Sequence, residues 1–336
     1  MFCAQEGLGE PPVREDLVAR LPALRAEADE ITFVGGEPTL SPALVAAIAA
    51  ARTAGFLRIG IQTNGRRLRD RAFTDGLAAA GLSDVHVSVH GAEAAVHDYH
   101  TGRDGSFSEL LAGLVAARGA GLRIAATTVL TRSNFRALHG LPALLARAGV
   151  AGWLIEIPRV AGRAAAVFDR VVPRLGLALP FALHALDLAQ ALHLPAYLRG
   201  APLCLVGPFA ARTLADEPRA FGGACDGCSV RDRCPGLDEV YLERFGADEL
   251  RTLKLALPVV EEHGPAALRR MFVGVGELAP APAGGAVPPP AAQLRRSLPV
   301  LGKVKPAIAE VSAGAPRRTG EALKEIFPEL FDKPKG

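Results

Sequence analysis

Four cysteines, Cys204, Cys225, Cys228 and Cys234, carry the strongest chemical signal in the chain. The last three are spaced Cys-x2-Cys-x5-Cys, and four thiolates enclose either one zinc ion or one 4Fe-4S cluster, so ligand type alone leaves both open. Cys3 stands apart, two residues inside the start. The first residues, MFCAQEGLGEPP, have neither the basic start nor the apolar stretch of a secretory signal. A cytoplasmic, reducing location is therefore expected, where such thiols serve metal or cluster ligation before disulfides.

A second group of candidates lies in the first half. Phe33-Val34-Gly35-Gly36-Glu37-Pro38-Thr39-Leu40 sits between an apolar run and a helical one. Paired glycines let backbone approach a ligand, and a carboxylate with exposed carbonyls suits an ammonium group; the same residues also make a tight βα turn. His86, His90, His97 and His100 lack compact metal-ligand spacing, so site lining or ordinary polar roles are expected of each. His97-Asp98 suggests a metal-dependent phosphohydrolase, but the accompanying His and Asp motifs are missing.

The elements that position these residues alternate. Strands are expected over Ile31–Val34, Leu57–Thr63, Asp84–His90, Leu122–Thr131 and Trp153–Pro158. Helices are expected over Ser41–Ala54, Leu68–Ala80, Ser106–Arg118 and Asn134–Ala148, with Ser41 and Pro42 as N-cap and first helical residue. Alternating βα units predict a parallel sheet with right-handed crossovers. His86, Ser88 and His90 alternate with Val85, Val87 and Val89, and Gly60, Gln62 and Asn64 with Leu57, Ile59 and Ile61. One face is thus polar, whereas a doubly wound sheet buries two apolar faces, and a barrel with a wet lumen is favoured.

After Ala161 the strand rhythm is expected to stop. Leu175–Arg199 reads as helix, Cys204–Gly246 as the cysteine segment and Leu250–Met271 as a further helix. The expected domains are a core over 1–165, a helical and cysteine-bearing extension over 166–275, a Pro/Ala-rich linker over 276–292 and a basic, loosely attached tail over 293–336.

Composition narrows the class. With 336 residues, 49% hydrophobic and 22% charged, the chain reads as a globular protein of one large domain or a domain with an appendage. The longest apolar runs, Ala43–Ala51 and Ala201–Ala211, fall far short of the roughly 18 residues of a membrane span. The net charge is +3 and no basic stripe with interleaved aromatics appears, so neither a membrane nor nucleic acid is an expected partner.

Phe2-Cys3, Gly35-Gly36-Glu37-Pro38, Gln62-Thr63-Asn64-Gly65 and Ser88-Val89-His90-Gly91 occur in an order that resembles the radical S-adenosylmethionine (radical SAM) enzymes. His97–Phe107 and Thr128–Asn134 extend the likeness, which covers about residues 1–160. It implies an α/β fold, a partial (βα)6 TIM-like barrel. It also implies a cofactor site in which Phe2, Gly35, Gly36, Glu37, Pro38, Asn64 and Ser88 hold S-adenosylmethionine, the Gly-Gly-Glu-Pro segment taking its ammonium. The family motif Cys-x3-Cys-x2-Cys holds a 4Fe-4S cluster; Phe2-Cys3 matches only its end, so Cys3 is the one cluster ligand present. The first barrel strand, which precedes that motif in the family, is absent too. The expectation is an internal methionine of a longer protein rather than a natural relic, and a chain starting at Met1 is expected to be inactive.

The cysteine segment, continuing to Gly236 and Tyr241, resembles the auxiliary-cluster extensions of the same enzymes, including the SPASM and twitch types. Asp238 stands where the full SPASM pattern has another Cys, which implies a single auxiliary 4Fe-4S cluster completed by Cys204, with structural zinc as the alternative. The resemblance further implies a reductant such as a flavodoxin or ferredoxin and a peptide substrate, and Glu156 and Arg159, at the carboxyl end of the last expected strand, are placed to face that substrate. The rival reading is a non-catalytic iron–sulfur or zinc protein on a degenerate radical SAM scaffold, binding a partner.

Overall fold

Seven parallel strands lie side by side in the order in which the chain makes them. They are β1 (Glu30–Phe33), β2 (Arg58–Thr63), β3 (Asp84–Ser88), β4 (Arg123–Val129), β5 (Gly152–Glu156), β6 (Ala196–Arg199) and β7 (Thr213–Leu214). The computed structural model describes residues 17–160, 162–214 and 216–254. Because the strand order never reverses, right-handed crossovers leave every connection on the same side of the sheet, and the sheet curls around its uncovered face into a partial TIM-like barrel.

The connections are mainly helical. The helices are α1 (Leu17–Glu27), α2 (Leu44–Thr53), α3 (Arg71–Ala80), α4 (Ala94–Thr101), α5 (Ser106–Gly119), α6 (Leu141–Arg147), α7 (Arg163–Ala166), α8 (Phe168–Val171), α9 (Leu175–Ala191), α10 (Leu203–Val206) and α11 (Glu239–Phe245). The helix side of the sheet is mainly apolar: Ile31, Phe33, Ile59, Ile61, Val85, Val87, Ile124, Ala126, Trp153 and Ile155 are all buried in one core. Capping residues set several helix starts. Asp70 caps α3 by accepting from Phe73 N at 3.2 Å, and Asp98 accepts from Gly105 N, Ser106 Oγ and Phe107 N at 2.7–2.8 Å at the start of α5.

The opposite face is layered. At the amino-terminal ends of the strands, Asp84 receives Arg58 at 2.7 Å and Arg123 at 2.5 Å, and Arg58 also meets Glu30 at 3.5 Å. This ion cluster lines the amino-terminal end of the lumen, beside a small cavity of about 40 Å³ bounded by Thr32, Gly60 and His86. Above it, Ala125, Leu154 and Tyr197 form a small apolar layer with Leu214 against it, separate from the helix-side core. Polar residues share these levels of the lumen face: Gln62 and His86 are in register with Ala125, and Ser88 and Thr127 with Leu154 and Tyr197.

The first five strands fall where alternation placed them, each within a few residues of its expected ends. Two expectations need correction. The strand rhythm continues past Ala161, because β6 and β7 extend the same sheet, so strands of the barrel lie beyond residue 165. Leu175–Arg199 is also not one helix: α9 ends at Ala191, His193 takes φ 54° and Pro195 leads into β6. Proline disfavours helical backbone at the preceding residue, which ends the helix despite the continuing apolar run.

Smaller differences concern helix starts. Ser41 is not the cap of α2, which begins at Leu44 after Ala43; Ser41 Oγ instead accepts from Ala43 N at 3.2 Å in the preceding turn. His97 and His100 lie on α4. Of the helix expected over Leu250–Met271, residues 250–254 are described and are not helical. The rest of it, Phe2, Cys3, the linker 276–292 and the tail 293–336 lie outside the described residues.

Candidate active site at the carboxyl ends of the strands

Gly35 and Gly36 follow β1 with φ of 101° and 42°, backbone that L side chains rarely adopt. They deliver Glu37 to the cap of a short 3-10 turn, Pro38–Leu40. Glu37 Oε1 accepts from Thr39 N at 3.1 Å, Thr39 Oγ1 at 2.6 Å and Thr63 Oγ1 at 2.6 Å, while Oε2 accepts from Asn64 N at 2.8 Å. The carboxylate therefore ties the turn after β1 to the turn after β2. Thr39 and Thr63 are functional partners that sequence reasoning missed, since their contact with Glu37 depends on β1 and β2 being neighbours.

Asn64 continues this rim. Its Oδ1 accepts from Arg66 N at 3.0 Å, and Gly65 follows with φ 76°. Ser88, on β3, is half-buried on the lumen face. Gly35, Gly36, Glu37, Pro38, Asn64 and Ser88 thus occupy the carboxyl ends of three adjacent strands, the end at which parallel barrels gather their ligand-binding loops.

The histidines form packing and hydrogen-bonded contacts. His90 stacks on His97 and on His100 with ring centroids 5.5 Å apart in each pair. His90 N donates to His97 Nδ1 at 3.2 Å. His100 Nδ1 meets the Val96 carbonyl at 2.8 Å and so carries the proton there, leaving Nε2 to accept from Thr131 Oγ1 at 2.7 Å and Ser133 Oγ at 3.0 Å. Asn134 completes the link, donating to the carbonyls of His90 at 3.2 Å and Val129 at 2.9 Å. The segments His97–Phe107 and Thr128–Asn134 therefore bind the ends of β3 and β4 to one another. Further into the lumen, His86 Nε2 meets Thr127 Oγ1 at 2.5 Å.

Burial pushes His97 down to about 4, and His86 to about 4 with the Arg199 charge adding to burial. His90 and His100 move in the same direction, chiefly by burial. In the unfolded chain each takes up its proton near pH 6.5, whereas the folded chain resists until lower pH. Stability is thus complete above about pH 6.5 and falls as pH drops toward 4. For the buried His97 alone the loss at pH 5 is about 2 kcal/mol. Urea unfolding at pH 7 and pH 5 should show it, and His97→Gln should reduce the pH dependence; equal slopes for the two chains would remove His97 from this account.

At the far edge of the sheet, β5 and β6 bring Glu156 and Arg199 into register as neighbours on the lumen face. Beyond them, Arg159 pairs with Asp216, and Arg219 with Asp238 at 2.8 Å. Arg219 also donates to the carbonyls of Gly200 and Gly236, joining the end of β6 to the cysteine segment. Asp238, at the position noted for a missing cysteine, is thus an ion-pair partner and helps hold the extension on the barrel.

Cys204, Cys225, Cys228 and Cys234 all line one small cavity of about 10 Å³, with Pro202, Phe221 and Val230 among its walls. Leu203 N donates to Cys234 Sγ at 3.4 Å, and burial pushes the Cys204 thiol up. Four thiols with no carboxylate in the lining suit zinc or an iron–sulfur cluster by donor type. As the side chains are placed, however, no three His, Cys, Asp or Glu among the described residues form a group that holds a metal ion. No described helix is long and apolar enough to cross a membrane.

A partial parallel barrel with a polar rim at the carboxyl ends of its strands belongs to the class that gathers its sites at that end. Within that class, residues 2–137 match the family model of the Radical SAM superfamily. The chain is 30% identical over 142 residues to the AdoMet-dependent heme synthase of Nitratidesulfovibrio vulgaris, covering 42% of this chain and 38% of that protein. It is 38% identical over 106 residues to the GTP 3′,8-cyclase of Tolumonas auensis, covering 31% of each. The chain thus spans under half the length of these relatives. Among solved structures, Streptococcus suis SuiB bound to S-adenosylmethionine aligns with a TM-score of 0.47 at 13% identity, covering 60% of this chain and 45% of that one.

Proposed function

We propose that this protein is a radical SAM enzyme whose substrate enters the barrel lumen. The observation that carries the reading is coincidence: the matched segment 2–137 contains the three adjacent strand ends where Gly35-Gly36-Glu37, Asn64 and Ser88 form a polar rim. Exposed backbone of Gly35 and Gly36 would take the ammonium of S-adenosylmethionine, with Asn64 and Ser88 on its methionine or ribose. Glu37 holds this backbone in place through its four hydrogen bonds, and with Gly35, Gly36 and Pro38 would form the segment that takes the ammonium. Cys3 would be one ligand of the 4Fe-4S cluster, and Phe2 would pack beside it. When bound, that cluster supplies the electron that cleaves S-adenosylmethionine to methionine and a 5′-deoxyadenosyl radical, which takes a hydrogen from the substrate.

The chain's own part is alignment and exclusion. The Ala125–Leu154–Tyr197 patch gives the lumen an apolar wall along β4, β5 and β6, which would limit water and stray hydrogen donors near the rim. Cys204, Cys225, Cys228 and Cys234 would hold an auxiliary 4Fe-4S cluster, and a peptide is the proposed substrate, with a flavodoxin or ferredoxin as reductant. After anaerobic reconstitution of the full-length gene product, 5′-deoxyadenosine and methionine are expected in equal amounts from S-adenosylmethionine and dithionite. Two clusters predict about eight irons per chain, and a zinc site in the extension predicts about four irons with one zinc. Iron bound without S-adenosylmethionine cleavage would favour the non-catalytic reading instead.

A further inference from the structure

Arg199 holds buried donors in the lumen that no hydrogen bond uses. It lies on the lumen face of β6, two residues after Tyr197, in register with Glu156 and at the carboxyl end of the strand. Its Nε and one terminal nitrogen, Nη2, are buried and make no hydrogen bond. The other guanidinium groups along the same side each have a carboxylate partner, Arg58 and Arg123 on Asp84, Arg159 on Asp216 and Arg219 on Asp238, although Arg123 Nη2 and Arg219 Nε are also buried without a hydrogen bond. Glu156 lies beside it without forming an ion pair, and burial pushes the Glu156 carboxyl up, toward its neutral form. Leaving buried charged donors without an acceptor costs more than most single interactions contribute, so the geometry calls for an anion.

We propose that Arg199 is a substrate anchor whose Nε–Nη2 edge binds a carboxylate inside the barrel, making an acidic side chain or a terminal carboxylate part of the substrate. That edge presents two parallel N–H groups, the spacing a carboxylate accepts side-on. The layer of Ala125, Leu154 and Tyr197 beneath it removes competing water. This inference rests on the proposed radical SAM reading only in placing the substrate in the lumen.

The test is binding, read by calorimetry on the full chain without S-adenosylmethionine. The probes are the capped tripeptide acetyl-Ala-Glu-Ala-amide, its Gln counterpart and inorganic phosphate. The Glu peptide is expected to bind about 10–100-fold more tightly than the Gln peptide, the range one charge-assisted bidentate contact supplies. Arg199→Gln should abolish that preference, Arg199→Lys should keep part of it, and Glu156→Gln should retain or strengthen it. Equal affinity of the two peptides for the unaltered chain overturns the proposal even if the Arg199 variants fail to fold. A preference surviving in folded Arg199→Gln, or phosphate binding more tightly than the Glu peptide, overturns it as well. Because no turnover is involved, a chain that shows the preference but cannot cleave S-adenosylmethionine would count against the proposed enzyme alone.

Discussion

Glu37→Ala is expected to lower the stability of the chain by about 3 kcal/mol and to loosen the rim between β1 and β2. The side chain receives four donors, two from backbone and two from threonine hydroxyls. Alanine leaves Asn64 N and Thr39 N without that acceptor while Thr39 is itself buried. Hydrogen bonds to a charged acceptor contribute roughly 1.5–3 kcal/mol each in isolation, but four that share one carboxylate do not add, so the sum is held well below four times that value. Glu37→Gln is the sharper probe. An amide offers one accepting oxygen and turns an NH2 toward donors at the other position, so it should recover less than half of the loss. Urea unfolding reads the stability, and amide hydrogen exchange at Asn64 reads the rim. A midpoint shift worth less than about 0.5 kcal/mol for alanine, with Asn64 exchange unchanged, would show the clasp to be dispensable.

Gly113→Ala should also be damaging, for a different reason. A Cβ built at Gly113 lies 2.2 Å from the carbonyl oxygen of Gly65, a backbone atom that cannot swing aside. Gly65 is held in turn, since a Cβ there would meet Leu110 Cδ1 at 2.8 Å and its φ is 76°. Helix α5 therefore rests directly on the turn after β2, glycine against glycine. One methyl group must push α5 off that turn, and overpacking of this kind costs about 1–3 kcal/mol or more when backbone has to move. Gly76→Ala is the internal control: it lies within α3 with nothing within 4 Å of the added Cβ, and it should stabilise by roughly 0.5–1 kcal/mol. Thermal melts of the two variants should move in opposite directions. If Gly113→Ala melts with the unaltered chain, the contact between α5 and the β2 turn is looser than the geometry states.

The alternation of His86 and Ser88 with Val85 and Val87 was enough to reveal a sheet with one wet and one apolar face, because each residue's facing follows from parity alone. Strand β6 was hidden for the opposite reason. In Ala196-Tyr197-Leu198-Arg199 both faces are largely apolar, since Tyr197 packs into the lumen layer while Leu198 joins the helix-side core. Such a run cannot be told from the end of the apolar helix before it by periodicity. Pro195 was the available signal. Residue type also suggested where the chemistry gathers, but not which groups hold which: Glu37 looked like a ligand-binding carboxylate, and its partners Thr63 and Asn64 lie 26 and 27 residues away. Arg199 could be placed in the lumen only once β6 had been recognised.

The identity between strand order and chain order has a consequence for synthesis. Each strand after β1 pairs with the one made just before it, so its docking site already exists when it leaves the ribosome. No strand has to wait for a distant, later segment to insert between two earlier ones, and each closure spans one βα unit, which favours early and local assembly over long-range search. The corresponding hazard is sequential too. After every unit the newest strand is an open edge, and a pause during translation would leave that edge free to pair with another nascent chain.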